Sequence, residues 1–536
     1  MFSLLILQFS VFTSRSFYFY LLPFYFLLIF PLPLNFSMIE LAPKTYEDFL
    51  TEAEKGNVVP IVRGVLADLH TPVGAFLRVC GAAEQAFLFE SIEGGERLAR
   101  YSFLAANPFM TVRSRNSETI VEQNGDKQIF PEKKLFDFLR SHFAKNKLAV
   151  RENLPPLCGG AIGFLAYDAA RWFEKTLENG KSYESDDAVW MFFQTILVFD
   201  RLRQRIEIVS TVFTDEAEGD EAKLRALYDE ACQETERIER LLQTEFAPLL
   251  TRGLPPLNES NQFTSNWAET DFLKAVEAIK EKILAGDCYQ VVLSQKFSRQ
   301  TCAEAINIYR ALRTTNPSPY MFYVKLGVST LIGASPEMLV RCHGKKLEYR
   351  PIAGTRKRGA TETEDSILAE DLRSDIKEVA EHIMLVDLGR NDLGRVSEFG
   401  TVAVEELMKV EKYSHVQHLV TSLKSILRDD FDRFDALASC FPAGTVSGAP
   451  KVRAMQIIEE LEPTARGVYA GAIGYIDYAE NLDTCIAIRT IKLENQTASI
   501  QAGAGIVADS VPENEYEETI NKARALVKAI ELAERL

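Results

Sequence analysis

Residues 38–536 are predicted to form an α+β fold. Three observations carry this. Hydrophobic residues make up 47% of the 536-residue chain and charged residues 25%, the mix of a soluble protein with a large core. Strand-like and helix-like segments alternate irregularly, so long strands are not each followed by one helix, as a doubly wound sheet requires. No fixed-period repeat is present. At about 150 residues per domain the length allows two to four domains, and large sheets favour two.

The first 37 residues stand apart. Arg15 is their only charged residue, and Phe, Tyr and Leu dominate. Such a stretch is long enough for a membrane anchor, but Pro23, Pro31 and Pro33 weaken a helix. A signal peptide would need a basic start and an A-x-A site, and both are missing. The third reading is translated upstream sequence with the start at Met38, where the composition becomes ordinary. On that reading 1–37 is excluded from the fold and no membrane association is expected.

The next segment, 38–253, mixes short strands and helices. FLFESIEG, YSFLAAN and TVRS read as strands, and Cys158 to Tyr167 as a strand bearing glycines. Asp215 to Leu242 reads as a charged helix marked by Leu224, Leu227, Ala231 and Ile238. Leu254 to Gln262 is polar and proline-containing, the best linker. The last segment, 265–536, opens with a helix from Thr270 to Leu284 and a strand from Tyr289 to Phe297. It closes with a helix from about Glu515 to Leu536.

Acidic residues outnumber basic ones by 76 to 60, a net charge of −16, which argues against nucleic acid as a partner. An anionic small substrate stays open, because a basic pocket or a bound cation inverts the field locally. The eight cysteines include no C-x-x-C pair and are too sparse for a disulfide scaffold, so reduced thiols and a cytoplasmic location are expected.

Two helices carry paired carboxylates. In Asp375 to Leu393, Ile376, Val379, Ile383 and Val386 make an apolar stripe. Glu378 and Glu381 lie on another face, which continues to Leu385 and Leu388. Near the C-terminus, Glu515 and Glu518 share a face with Lys522, beside a stripe of Tyr516, Ile520, Ala523, Val527 and Ile530. One E-x-x-E is ordinarily a solvated face, and acids in a first helical turn also answer the macrodipole. Together the two helices could supply a Mg²⁺ site, one or two carboxylates from each, with positions left for water and substrate oxygens.

Three further segments suit anions. Phe441 to Lys451, FPAGTVSGAPK, precedes a helix from Val452. Pro450 suits its first position, and the loop offers backbone N–H groups beside Lys451, although a plain capping turn reads equally well. In Gln501-Ala-Gly-Ala-Gly-Ile-Val, Gly503 and Gly505 point to one strand face and admit a ligand or another backbone. Arg489, in the strand IAIRTIKL, could clamp a carboxylate. His418 is the best of six histidines for acid–base work, though its apolar neighbours also suit a structural role.

These segments occur in a familiar order: SPEMLV, PIAGTRKRG, KEVAEHIMLVDLGRNDLGRV, HVQHLV, GTVSGAPK, DTCIAIRT, QAGAGIV and ENEYEETINKA. VPIVRGVLADLHTPVGAFL, FLFESIEGGERLARYSF and GGAIGFLAYD precede them. The chain from Met38 resembles the chorismate-utilising enzymes, and among them the anthranilate synthase large-subunit (component I) family. The resemblance implies a two-lobed fold of large, mostly antiparallel sheets with surrounding helices. It implies conversion of chorismate and ammonia to anthranilate and pyruvate with Mg²⁺, held by Glu378, Glu381, Glu515 and Glu518. Glu337 of SPEMLV would protonate the leaving hydroxyl, and His418 matches the position assigned to the elimination. Thr445, Tyr469, Arg489, Gly503, Gly505, Lys522, Gly354 and Thr355 match the substrate-binding set.

Aminodeoxychorismate synthases, the alternative within the family, commonly carry Lys where Ala353 stands. Isochorismate and salicylate synthases carry Lys where Gln290 stands. Both differences favour ammonia as nucleophile. A catalytically dead tryptophan sensor is disfavoured by the complete residue set. The resemblance also implies feedback inhibition by tryptophan in an N-terminal regulatory domain, through Glu90, Ser91, Pro319, Tyr320 and Met321. No G-x-C-x-G nucleophile elbow is present, so ammonia is expected from a separate glutamine amidotransferase subunit (component II).

Overall fold

The computed structural model describes residues 41–92, 100–115, 118–123, 125–131, 134–177, 185–245, 263–413 and 416–536. The hydrophobic start and the 254–262 linker lie outside these residues. Residues from Met38 onward form one compact unit, and among the described residues no helix is long and apolar enough to cross a membrane.

Among the described residues the strands assemble into two sheets, of 13 and 12 strands. The first runs through Val58–Leu66, Arg205–Phe213, Thr195–Asp200, Tyr101–Ala106 and Gln85–Glu90. It continues without a break into Tyr320–Leu326, Ser329–Ser335, Thr490–Glu494, Thr497–Ile506 and Gln290–Gln300. The junction is an antiparallel ladder in which Met321 faces Glu90 and Phe322 faces Phe89. The second sheet joins the halves in the same way, Ala472–Asp477 pairing antiparallel with Gly160–Leu165. The segments 38–253 and 265–536 therefore each contribute to both sheets.

The sheets pack face to face. Phe87, Ile196 and Val198 of the first and Ile162, Trp190 and Phe192 of the second belong to one hydrophobic cluster. Ala188–Phe193, AVWMFF, is buried at every position, which explains its unbroken apolar run. The C-terminal helix Pro512–Ala533 lays Ala523, Leu526, Ala529 and Ile530 against the first sheet and the helix Ala305–Thr315.

Most expected elements form with small shifts. The charged helix is Glu221–Leu242, started by Asp220, whose side chain accepts from the N–H groups of Ala222 and Lys223. The first carboxylate helix is Ile376–Gly394, capped likewise by Asp375. Its burial differs from the expected stripe. Ile376 is 86% exposed and Ile383 50%, while His382, Leu385, Val386, Gly389 and Leu393 turn inward. The reason is close packing at Gly389, which lies beneath the Tyr349 ring with no room for a Cβ.

Candidate active site

The helices Ile376–Gly394 and Pro512–Ala533 and the strand Thr497–Ile506 wall a cavity of about 560 Å³. Glu337, Gly354, Thr355, Glu378, Glu381, Thr445, Tyr469, Arg489, Gly503, Gly505, Glu515, Glu518 and Lys522 all line it, as do Gln290 and Ala353. His418 lies immediately behind the wall, its Nδ1 2.9 Å from the Gly354 carbonyl and 3.1 Å from Thr355 Oγ1.

The four helix carboxylates each have a protein partner. Glu378 accepts from Arg356 Nη1 at 3.1 Å and Glu381 from Gln290 Nε2 at 3.1 Å. Glu518 pairs with Lys522 at 2.7 Å, and Glu515 bonds to Ser510. Burial pushes the Glu515 carboxyl above its ordinary range, with the Glu518 charge adding to the rise against the Ser510 bond. Among the described residues no three Asp, Glu, His or Cys side chains form a ready-made metal cage. Carboxylate oxygens on one open cavity suit instead a hydrated hard cation such as Mg²⁺, which needs one or two of them.

The same cavity holds a half-buried cation. Arg489 bonds to Asn316 Oδ1 at 3.3 Å, and among the described residues no carboxylate lies within ion-pair distance of it. Burial depresses its basicity, with Glu337 in partial opposition. Such a group favours an arriving carboxylate. Arg489 was expected in a strand. It occupies a left-handed turn, φ +49°, between Leu482–Ile486 and Thr490–Glu494, and the turn is what carries its side chain to the cavity.

Glu337 accepts from Thr445 Oγ1 at 2.9 Å. Burial raises its carboxyl above the ordinary value, against the Thr445 bond and the charges of Arg489 and Lys522. It is thereby biased toward the proton-bearing form. His418 is pushed the other way: burial lowers its imidazole below the usual value, although the Gly354 bond opposes this. A carbonyl only accepts, so Nδ1 carries the proton, and Nε2 of the neutral ring keeps its lone pair.

At the two strand glycines the nearest close neighbours are side chains. A Cβ at Gly503 would stand 2.8 Å from the Tyr469 hydroxyl, and one at Gly505 2.7 Å from Gln290 Nε2. The expected anion role of Lys451 is not realised. Its ammonium is held by Asp392 at 2.7 Å, and Gly448–Ala449 pairs with Gln290 and Val291, so this end of the loop is structural while Thr445 and Val446 line the cavity. Pro450 is the residue preceding the helix Lys451–Leu461, one place earlier than expected.

A family model described as chorismate binding enzyme matches residues 84–528. The chain is 46% identical to anthranilate synthase component 1 of Acetivibrio thermocellus, over 91% of this chain and 98% of that protein. It is 44% identical to the Synechocystis protein of the same name, over 90% and 98%. The chain belongs to the anthranilate synthase component I family of chorismate-binding enzymes. The crystal structure of a family member from Streptococcus pneumoniae TIGR4 superposes with a TM-score of 0.70 at 38% identity, over 86% of this chain and 98% of that one. The isochorismate synthase MenF of Escherichia coli shares the fold, with a TM-score of 0.66 at 21% identity over 89% and 95%.

A second cavity, about 240 Å³, lies at the seam between the halves of the first sheet. Glu90, Ser91, Pro319, Tyr320 and Met321 all line it. The Glu90 carboxylate is held by Tyr309 Oη at 2.7 Å, Arg313 Nε at 3.0 Å and Arg201 Nη2 at 3.3 Å. The Ser91 hydroxyl is buried with no hydrogen-bond partner among the described residues, and such a group gains by meeting a ligand.

Sequence reasoning missed Arg356, which bonds Asp371, Asp375 and Glu378 and so anchors the first carboxylate helix. Its signal was present, since it follows Gly354-Thr355 directly. It also missed Lys377, beside Glu378 on the cavity wall.

Proposed function

We infer that this chain is the synthase subunit of an anthranilate synthase, converting chorismate and ammonia to anthranilate and pyruvate. One observation carries the reading: one cavity gathers an arginine that meets no carboxylate among the described residues, a carboxyl biased toward its acid form and four further carboxylates. Chorismate is a dicarboxylate, and Arg489 and Lys522 answer its charge. Ala353 and Gln290 line the same cavity, and neither can serve as an amine nucleophile or as a lysine base, which leaves ammonia to attack.

Hydroxide is a poor leaving group, so its departure needs the Glu337 proton. The ring proton then leaves with pyruvate as aromaticity is restored. With Nδ1 anchored on Gly354, Nε2 of His418 is the nitrogen left to accept it. Glu378, Glu381, Glu515 and Glu518 would hold Mg²⁺, directly or through water. When bound, the ion supplies a Lewis acid for the ring carboxylate of the substrate. Ammonia would come from a glutamine amidotransferase partner.

The test is incubation of the purified chain with chorismate, ammonium and Mg²⁺. Fluorescent anthranilate and matching pyruvate are expected, with loss of both on chelation. Glutamine should replace ammonium only when an amidotransferase subunit is added. A product that retains the enolpyruvyl group would instead favour the aminodeoxychorismate reaction.

The seam cavity fits tryptophan as feedback inhibitor, with Ser91 supplying a hydroxyl that has no partner among the described residues and Glu90, locked by Tyr309, Arg313 and Arg201, shaping the wall beside it. Ser91→Phe should fill the cavity and raise the inhibitory tryptophan concentration at least about tenfold, with uninhibited turnover little changed. Wild-type tryptophan sensitivity in this variant would remove the assignment.

A further inference from the structure

Directly behind the active-site wall lies a buried ion pair that takes no part in the chemistry above. Arg466 is 5% exposed and Glu462 3%. Arg466 meets Glu462 through two bonds, Nε to Oε2 at 2.9 Å and Nη2 to Oε1 at 2.7 Å. Two further donors reach backbone carbonyls, Nη1 to Val446 and Nη2 to Val292, each at 2.7 Å. The guanidinium also lies 4.6 Å from the Tyr167 ring centre and 5.6 Å from that of Tyr469.

Glu462 extends the same network. Its Oε1 accepts from the Ser294 N–H at 2.8 Å and the Ser294 hydroxyl at 2.7 Å. Ser294 Oγ in turn accepts from Gln501 Nε2 at 2.9 Å. Val292, Val446, Tyr469 and Gln501 all line the catalytic cavity, yet they belong to four separate stretches of chain. One ion pair thus ties together four parts of the wall.

Stability alone does not account for it. A buried ion pair carries a desolvation cost that well-packed apolar side chains avoid. Apolar residues, however, cannot grip two carbonyls and an amide. Val446 immediately follows Thr445, whose hydroxyl donates to Glu337. Tyr469 is three residues beyond Arg466 and rests its hydroxyl where a Gly503 side chain would be.

We propose that Arg466 and Glu462 are positioning residues for the proton-transfer step, fixing the Thr445 hydroxyl against Glu337 and the Tyr469–Gln501 wall against the substrate ring. This rests on the reading of Glu337 as proton donor. The lysine of Arg466→Lys keeps a positive charge beside Glu462 but cannot reach both carbonyls and both carboxylate oxygens.

The experiment is a cycle of Arg466→Lys, Thr445→Val and the double variant, assayed with chorismate and ammonium, with Tm taken on the same samples. Arg466→Lys should lower kcat about tenfold or more, with KM for chorismate changed less than about threefold. The double variant should be no worse than about twofold below the poorer single one, because both changes release the same hydroxyl. A lower Tm with wild-type kcat would make the pair purely structural and overturn the proposal, as would full additivity.

If Arg466→Lys does not fold, Ser294→Ala tests the other arm. It frees Gln501 and should raise KM about threefold or more at nearly unchanged Tm; wild-type KM would overturn the proposal. Glu337→Gln, measured separately, decides the underlying reading. If it keeps wild-type kcat, the proton-donor role fails on its own account, whatever the cycle reports.

Discussion

Glu337→Gln should lower kcat by about 10²–10⁴-fold, the range for removing a positioned general acid, with KM for chorismate within about threefold. Glutamine keeps the shape and still accepts from Thr445, so the loss isolates the proton. The pH profile adds a sign. Glu337 works protonated, and burial raises its carboxyl above the ordinary value, so activity falls as pH rises through that value. His418 works neutral, and burial lowers its imidazole, so activity falls as pH drops through that lower value. The profile is bell-shaped, and its limbs belong to the pair. Glu337→Gln should lose the alkaline limb and keep the acid one. An unchanged alkaline limb would assign the proton to another group.

Arg489→Met should cost about 10²–10³-fold in kcat/KM, mostly through KM, because a desolvated carboxylate would lose its charged partner. Its effect on stability has the opposite sign. Arg489 loses solvation without a carboxylate partner among the described residues, so the resting protein gains when the charge is removed. Tm of the variant should equal or exceed that of the parent. A fall of several degrees, with KM unchanged, would make Arg489 a structural residue and leave the substrate carboxylate without its proposed partner.

The parts of the site legible in the sequence were those encoded over short distances. Glu378 and Glu381, Glu515 and Glu518, and Gly503 and Gly505 each share a face by helical or strand period. Local spacing alone does not bring the two carboxylate helices to one cavity, and it was the order of motifs that predicted their meeting. The failures are equally local in cause. Ile376 and Ile383 made a convincing stripe, but Gly389 lets the helix press another face onto Tyr349. Lys451 looked like an anion ligand because its partner Asp392 is 59 residues away. Arg489 read as a strand residue because a left-handed non-glycine turn has no strong sequence signal. Arg466 and Glu462 are only four residues apart, but their tie to the cavity wall was invisible, since it runs through Val292 and Ser294, more than 160 residues upstream in the chain.

The ladder that sets Met321 opposite Glu90 governs how this molecule can be dissected. A cut between residues 245 and 263 leaves each fragment with two raw sheet margins, Gln85–Glu90 and Gly160–Leu165 on one, Tyr320–Leu326 and Ala472–Asp477 on the other. Unpaired strand margins seek any available backbone. Expressed singly, each fragment should precipitate; expressed together, the two should find one another and restore the synthase. The N-terminal half is therefore no detachable module that could be grafted onto another enzyme.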